Sequence, residues 1–242
     1  MQTLENAAFA AWPARYEADV HGWHLRLDSG YTKRANSLNL TDRSQPLTHL
    51  QLEAIEQQFA ARGLRPVIRL TSLLNLPTLE PLLIERGYRH SDASHVLCRA
   101  LEAPSGERSP SAHFLTSAAQ WMPAFAQLSG QGDEQAQAHL AILQRIAHPA
   151  AWAMWEERGV PGCCGLGVLV GEQLGLFDIV TGEAFQRRGL AEQLCWALLA
   201  WGWAHGARRV FLQVAAENQP ALALYRKLGF EWGYGYGYWI KH

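Results

Sequence analysis

A six-residue segment in the last quarter of the chain combines residue types that bind phosphate. The segment is Gln186, Arg187, Arg188, Gly189, Leu190 and Ala191, and a helical pattern begins within it. Glycine lets the backbone turn tightly, so that free amides at the helix N-terminus point outward beside the positive end of the helix dipole. Guanidinium groups pair with phosphate oxygens. The segment predicts a phosphate-binding loop, although a surface turn with solvated arginines would read the same way.

Two further side chains could move protons. A phenol has an ordinary pKa of about 10, so Tyr225 can donate a proton to a leaving group within hydrogen-bond reach; the alternative is a helix aromatic packed on a sheet. Asp178 is an acid in the otherwise apolar run 176–180, an unusual placement. By strand alternation Asp178 shares a face with Val180. The carboxylate could act as a base, bind an ammonium group, or pair with Arg187 or Arg188.

These residues must be positioned by alternating strands and helices. In the second half we expect strands over 174–181 and 209–214, helices over 190–205 and 221–228, and an aromatic last strand over 232–240. In that last strand Trp232, Tyr234, Tyr236 and Tyr238 alternate with glycines, which predicts one aromatic face and one bare face. Near the start, 22–28 and 31–40 predict a hairpin, and the polar residues 32–36 could line a cleft between the halves.

The same order of elements occurs twice, at an offset of 143 residues. Ala61–Val67 falls on Ala204–Val210, and in the first copy Pro46 replaces the loop glycine and removes a donor. One phosphate site is therefore expected, not two. Residues 102–111 have the composition of a linker. We expect a first unit over 1–101, a linker over 102–111 and a second unit over 112–242.

Composition excludes several classes of protein. Lys and Arg total 21 against 22 Asp and Glu, so the chain lacks the charge of a nucleic-acid or membrane-surface binder. Apolar runs fall short of the roughly 18 residues of a transmembrane helix, and the start lacks a secretory signal, so we expect a soluble cytoplasmic protein. Four cysteines without ligand spacing predict reduced thiols and no metal site.

The combined pattern resembles a known superfamily. Gln186-x-x-Gly189-x-Ala191, a strand into Val214, and then Asn218, Ala221, Leu224-Tyr225 and Gly229-Phe230 are similar to the coenzyme A motif and downstream Asn/Tyr signature of the GNAT acyltransferases. The resemblance runs from His113 to the C-terminus. The first half resembles a degenerate second copy, as in tandem members of that superfamily.

The resemblance implies a mixed α/β fold (an α+β mixed sheet) in two tandem copies, and an N-acetyltransferase that moves the acetyl group of acetyl-CoA to an amine by direct attack. Gln186 to Ala191 would hold the pyrophosphate through backbone amides. The pantetheine arm would add like a strand beside Ile179 and Val180, and the Val180 amide is the candidate oxyanion donor. Asn218 would bind the pantetheine or order its loop, and Tyr225 would lie near the sulfur.

Alternatives remain open at this point. A non-catalytic acyl-CoA sensor would share the coenzyme site, whereas a nucleotide-binding protein is disfavoured because no phosphate-loop or dinucleotide-binding string occurs. The acceptor is expected to be a small-molecule or peptide amine, with no nucleic-acid or membrane partner. The first half would serve as scaffold and as a wall on the acceptor side. The sequence leaves open whether the protein is a monomer or a homodimer.

Overall fold

One continuous mixed sheet of eleven strands runs through the computed structural model, which describes residues 2–74, 76–103 and 112–242. The first half contains α1 (Gln2–Ala11), β1 (Tyr16–Val20), β2 (Trp23–Leu27), β3 (Ser37–Asn39), α2 (His49–Ala60), β4 (Val67–Thr71), α3 (Leu79–Glu85) and β5 (Tyr88–Ala100). From residue 104 onward the predicted linker lies outside the described residues. The domain boundaries at 101 and 112 stay a prediction.

The second half follows the order expected for it. It contains β6 (His113–Leu115), α4 (Ala118–Ser129), α5 (Asp133–Leu143), β7 (Ala150–Glu157), β8 (Val160–Val170), β9 (Gln173–Thr181), α6 (Leu190–Ala204), β10 (Arg209–Ala215), α7 (Gln219–Lys227) and β11 (Glu231–Lys241). Short 3₁₀ turns occupy Lys33–Ala35 and Glu183–Phe185. The run β3, α2, β4, α3, β5 repeats as β9, α6, β10, α7, β11, in line with the internal offset seen in the sequence.

Local capping explains where the helices begin. The Thr48 side chain accepts a hydrogen bond from the Gln51 amide while the Gln51 side chain accepts one from the Thr48 amide, which forms a capping box at α2. Ser117 caps α4 in the same way by accepting from the Gln120 amide. These caps satisfy amides that lack a partner in the first turn of a helix.

The two halves exchange their last strands. The sheet order is β1-β2-β3-β4-β11-β5-β10-β9-β8-β7-β6, so β11 lies between β4 and β5, and β5 lies between β11 and β10. The antiparallel β5–β11 ladder extends from the Glu231–Cys98 pair to the Lys241–Tyr88 pair. Because each half completes its sheet with a strand of the other, first-half residues lie beside β10, where the second half was expected to hold its ligand.

The expected antiparallel pairing near the start is present, but its connection is longer than predicted. β2 and β3 pair from His24–Asn39 to Arg26–Ser37, with a 3₁₀ turn between them and only three residues in β3, while the tight hairpin joins β1 and β2. Asn36 explains the difference because its side-chain oxygen accepts from the amides of Asp28 and Gly30, which holds the connection as a loop. Helix α1, which the sequence analysis did not predict, buries Leu4 and Ala11 against the core.

The predicted aromatic face of β11 is confirmed for three of its four residues. Tyr234, Tyr236 and Tyr238 are buried in one cluster. The register shifts between Trp232 and Tyr234, and this bulge leaves Trp232 60% exposed.

A buried ion pair fastens α1 to the sheet. Arg69 on β4 donates to Glu5 from both terminal nitrogens, at 2.5 and 2.9 Å, and the Tyr234 hydroxyl also donates to Glu5. Burial by itself would raise the pKa of Glu5, but the charge and hydrogen bonds of Arg69 hold that pKa below its ordinary value. The Arg69 guanidinium also lies 4.0 Å from the centre of the Tyr236 ring.

We expect Glu5→Ala to lower the free energy of unfolding by about 3 kcal/mol or more, because it leaves the Arg69 charge buried without its partner. Urea unfolding followed by tryptophan fluorescence measures the change. The matched control is Glu102→Ala, at an exposed side chain, which we expect to change stability by no more than about 0.5 kcal/mol. Equal effects of the two substitutions would contradict this account of α1.

Candidate functional site

A cleft opens where two parallel strands separate. β9 and β10 pair from Gln173–Arg209 to Leu176–Leu212, although β9 continues to Thr181 and β10 to Ala215. The cleft has a volume of about 270 Å³, and residues from both halves line it. It lies at the carboxyl ends of these strands, and the predicted phosphate loop follows β9 in sequence after the 3₁₀ turn Glu183–Phe185.

A bulge in β9 accompanies the separation. Asp178 has a φ of 52°, and the β8–β9 register shifts there, so that Asp178 and Ile179 together oppose only Gly165. A Cβ on Gly165 would lie 2.4 Å from the Ile179 side chain, so glycine makes room for the bulge. Val180 pairs with Cys164 and Phe177 with Leu166, so both lie on one face of β9. The Asp178 carboxylate meets His139, which packs against the same hydrophobic cluster as these two residues, so Asp178 and Val180 share a face as expected. The extra residue instead puts Phe177 and Asp178, which are neighbours in sequence, on the same side, while Ile179 lies on the other.

The predicted loop has the backbone that a phosphate site requires. Arg187 and Gly189 have φ values of 62° and 76°, and α6 begins at Leu190. Within the described parts of the chain, the amides of residues 187–191 donate to no protein acceptor. A Cβ on Gly189 would meet nothing within 4 Å, so the space before these amides is open. The loop can therefore accept an anion.

The two arginines of the loop differ. Arg188 forms an ion pair with Glu157 at 2.7 Å and stacks near the rings of Trp155 and Phe185. Arg187 forms no ion pair with any other described residue. Arg187 therefore has its charge available for a ligand, whereas Arg188 already pairs with a carboxylate. Contact of either arginine with phosphate stays a prediction.

The structure brings Tyr225 and Asn218 to the cleft. Tyr225 on α7 is 8% exposed and lines the cleft together with Ile179. Burial raises the pKa of the Tyr225 phenol, so the group keeps its proton at neutral pH. Asn218 caps α7 by accepting a hydrogen bond from the Ala221 amide at 3.1 Å. This contact fits the expectation that Asn218 orders its loop, while contact with a pantetheine stays a prediction.

Asp178 is held by side chains that the sequence analysis did not connect with it. Its Oδ2 lies 3.0 Å from His139 Nε2, and its Oδ1 lies 4.0 Å from Arg34 Nη2. Pairing with Arg187 or Arg188, one of the alternatives, is wrong because Asp178 faces these other groups. Arg34 lines the cleft, as expected for a residue of segment 32–36.

A directed chain of hydrogen bonds runs away from Asp178. His139 is fully buried, and its Nδ1 lies 3.1 Å from the Tyr31 hydroxyl, which accepts from Gln131 at 2.5 Å. His139 thus bridges Asp178 through one ring nitrogen and Tyr31 through the other. The sequence signal was a lone histidine on the buried face of α5, beside Ile142 and Leu143. That signal suited a core histidine equally well.

The cysteines do not supply a nucleophile. Cys163, Cys164 and Cys195 are buried. Burial raises the pKa of the Cys163 thiol to about 11, and that of the other two thiols is raised as well. A thiol in this state does not form the reactive thiolate at neutral pH.

Two features are absent from the described parts of the chain, a membrane-spanning helix and a cluster of metal ligands. No helix among these residues has the length and apolar character needed to cross a bilayer. No group of three or more His, Cys, Asp or Glu side chains in the described ranges is placed to hold a metal ion.

Comparison with known proteins now identifies the family. The Acetyltransferase (GNAT) family matches residues 116–230, and the family described as Probable histone acetyltransferase Rv0428c C-terminal matches residues 1–124. The uncharacterized N-acetyltransferase YobR of Bacillus subtilis is 30% identical over 236 residues, which cover 95% of this chain and 94% of that protein. The chain belongs to the GNAT acetyltransferase family.

Solved structures show the same fold. A GCN5-related N-acetyltransferase from Kribbella flavida superposes with a TM-score of 0.68 at 18% identity, covering 94% of this chain and 90% of that one. A tandem GNAT protein from the clavulanic acid biosynthesis pathway gives 0.62 at 14% identity, covering 90% and 77%. The expected mixed α/β GNAT fold and acyltransferase class are confirmed.

We expect His139→Phe to lower the free energy of unfolding by about 2 kcal/mol, because Asp178 and Tyr31 each lose a hydrogen-bond partner. Chemical denaturation measures the loss. The control His113→Phe changes an exposed side chain on β6 and is expected to alter stability by less than about 0.5 kcal/mol. If His139→Phe lowered the free energy of unfolding by no more than the control, the hydrogen bonds of His139 would contribute nothing to stability.

Proposed function

We propose that this GNAT acetyltransferase uses acetyl-CoA as donor and acetylates an amine in the cleft between β9 and β10. The observation that carries the proposal is a set of free amides at residues 187–191, directly after the strand that opens the cleft, with Tyr225 in its wall. Family membership supports a catalytic role over that of a sensor. The predicted cytoplasmic location and the choice between monomer and homodimer stay predictions.

The loop Gln186–Ala191 would hold the diphosphate of the donor. Its amides lie at the N-terminus of α6, where the helix dipole favours negative charge. Ile179 and Val180 would border the pantetheine arm, because β9 has left its partner β10 at this point. Asn218, fixed as a helix cap, would present its remaining amide hydrogens to the same arm.

Acetyl-CoA would supply a thioester. The acceptor ammonium would first lose one proton, either to Asp178 or to water while Asp178 holds the ammonium. The neutral amine nitrogen then forms the new C–N bond, and the Val180 amide is the proposed donor to the developing oxyanion. As the C–S bond breaks, Tyr225 would donate the proton that the departing thiolate takes up, and the second proton of the nitrogen, passed through water, would restore the phenol. The products are the N-acetyl compound, the free coenzyme thiol and one released proton.

A comparison of two glycine variants tests the loop. Gly189 and Gly171 both have positive φ, and a Cβ at either would meet nothing within 4 Å, so each alanine variant carries a similar backbone strain of about 1 kcal/mol. Gly189→Ala is expected to weaken acetyl-CoA binding by about tenfold, which corresponds to about 1.4 kcal/mol. Gly171→Ala, in the β8–β9 turn, should bind acetyl-CoA like the unchanged protein.

Isothermal titration with acetyl-CoA measures both affinities. Equal affinities for the two variants would rule out this loop as the donor site.

Substitution of Tyr225 by phenylalanine tests the proton donor. We expect kcat to fall by about 10² while the Kd for acetyl-CoA is unchanged, because the ring and its contact with Phe230 remain. The rate of thiol release over a panel of amines gives kcat, and titration gives Kd.

Full activity of the variant at every pH would contradict the role of Tyr225. Binding of acetyl-CoA by the unchanged protein without thiol release from any amine would favour the sensor over the enzyme.

A further inference from the structure

Arg34 brings a positive charge from the first half of the chain into the cleft of the second half. It lies in the 3₁₀ turn Lys33–Ala35. Its guanidinium carbon lies 4.2 Å from the centre of the Trp12 ring and 5.7 Å from that of Phe177. The side chain is 26% exposed. The two rings restrict the position of the guanidinium, and the side chain lines the cleft.

The hydrogen-bonding capacity of Arg34 is unused. Its guanidinium donates no hydrogen bond to any described residue, and the nearest carboxylate oxygen, on Asp178, lies 4.0 Å away, beyond hydrogen-bond distance. Two neighbouring arginines differ from it: Arg69 is saturated by Glu5, while Arg26 donates to Glu17 and to backbone carbonyls. A free, oriented guanidinium fork matches a carboxylate, which it can bind through two parallel hydrogen bonds.

Asp178 supplies the opposite charge beside it. His139 occupies Oδ2, and the Asp178 side chain is only 10% exposed, so its carboxylate has little freedom to rotate. Oδ1 keeps capacity for another donor. The cleft therefore presents one fixed cation and one fixed anion side by side. An ammonium and a carboxylate bonded to the same carbon atom form the complementary pair.

We propose that the acceptor is an amine that carries a carboxylate on the adjacent carbon, as a free α-amino acid does. Arg34 binds the carboxylate, and Asp178 binds the ammonium before it loses its proton. This inference rests on the proposed function, because it assigns the acceptor of the same cleft. The cleft volume of about 270 Å³ suits a small molecule. An amine without the carboxylate would leave Arg34 unpaired and close to a second positive charge.

The test compares matched acceptors in the presence of acetyl-CoA. For each of several side chains, thiol release is measured with the L-amino acid, the amino acid amide and the amine that lacks the carboxyl group. We expect the amino acids to react with at least about tenfold higher kcat/KM, since a charged hydrogen-bonded pair contributes about 1.5–3 kcal/mol. Arg34→Gln should raise KM for the amino acids by about tenfold, and it should leave KM for the amides and amines unchanged or lower it, because it removes a like charge.

Two controls separate charge from folding. Arg34→Lys keeps the positive charge but lacks the guanidinium fork. Its KM for the amino acids should lie between those of Arg34→Gln and the unchanged protein. Lys33→Gln removes the neighbouring cation, which pairs with Asp92 at 2.7 Å, and should alter none of these values. Thermal unfolding establishes that each variant is folded.

The outcomes distinguish the two proposals. If acetyl-CoA binds but the amides and amines react as well as the amino acids, or if no carboxylate-bearing amine reacts, the inference about Arg34 is overturned while donor binding stands. An equal fall in kcat/KM for all three classes of acceptor in Arg34→Gln also overturns the inference about Arg34. If acetyl-CoA does not bind to the unchanged protein, the proposed function itself fails.

Discussion

The exchange of β5 and β11 is the constraint on which the rest of the structure depends. Each strand completes the sheet of the other half, so neither half has a finished sheet without its partner. The exchange places Ser94 of β5 and Tyr236 of β11 at the cleft, and the first half adds Arg34. Both halves of the chain thus line one cleft. Pro46 stands where the second half has the loop glycine, so the proposed donor site needs only the loop of the second half.

A second constraint is the strained backbone at Asp178, which neighbouring side chains must stabilise. A non-glycine residue at φ 52° costs free energy, which the surroundings must offset. His139 and Arg34 hold the carboxylate, and the rings of Trp12 and Tyr31 pack against His139 at 5.4 and 4.9 Å. The bulge that opens the cleft is in this way stabilised by α1, α5 and the first-half turn, elements distant from it in sequence.

The sequence predicted the parts of the site that local chemistry determines. The glycine before α6 and the order of strands and helices in the second half depend on neighbours within a few residues, and both lie where the pattern indicated. The cap that Asn218 forms on α7 was not predicted; the resemblance implied only that this residue binds the pantetheine or orders its loop. The partners of Asp178 could not be found from local chemistry, because His139 lies on a distant element of the second half and Arg34 lies in the first half, and only the complete fold brings them together. The bulge at Asp178 could not be predicted either, since it depends on how β9 pairs with β8 around Gly165. Helix α1 was missed because its burial depends on the Glu5–Arg69 pair, which no local pattern shows.

The account centres on a single donor site, formed by the loop after β9 and absent from the equivalent first-half segment. Hydrogen–deuterium exchange of the intact protein, with and without acetyl-CoA, tests this most directly. The amides of 187–191, which have no partner in the described structure, should exchange rapidly alone and slow on addition of acetyl-CoA, while those of 43–48 should not change. Slow exchange at 187–191 without ligand, or protection at 43–48 instead, would contradict the account.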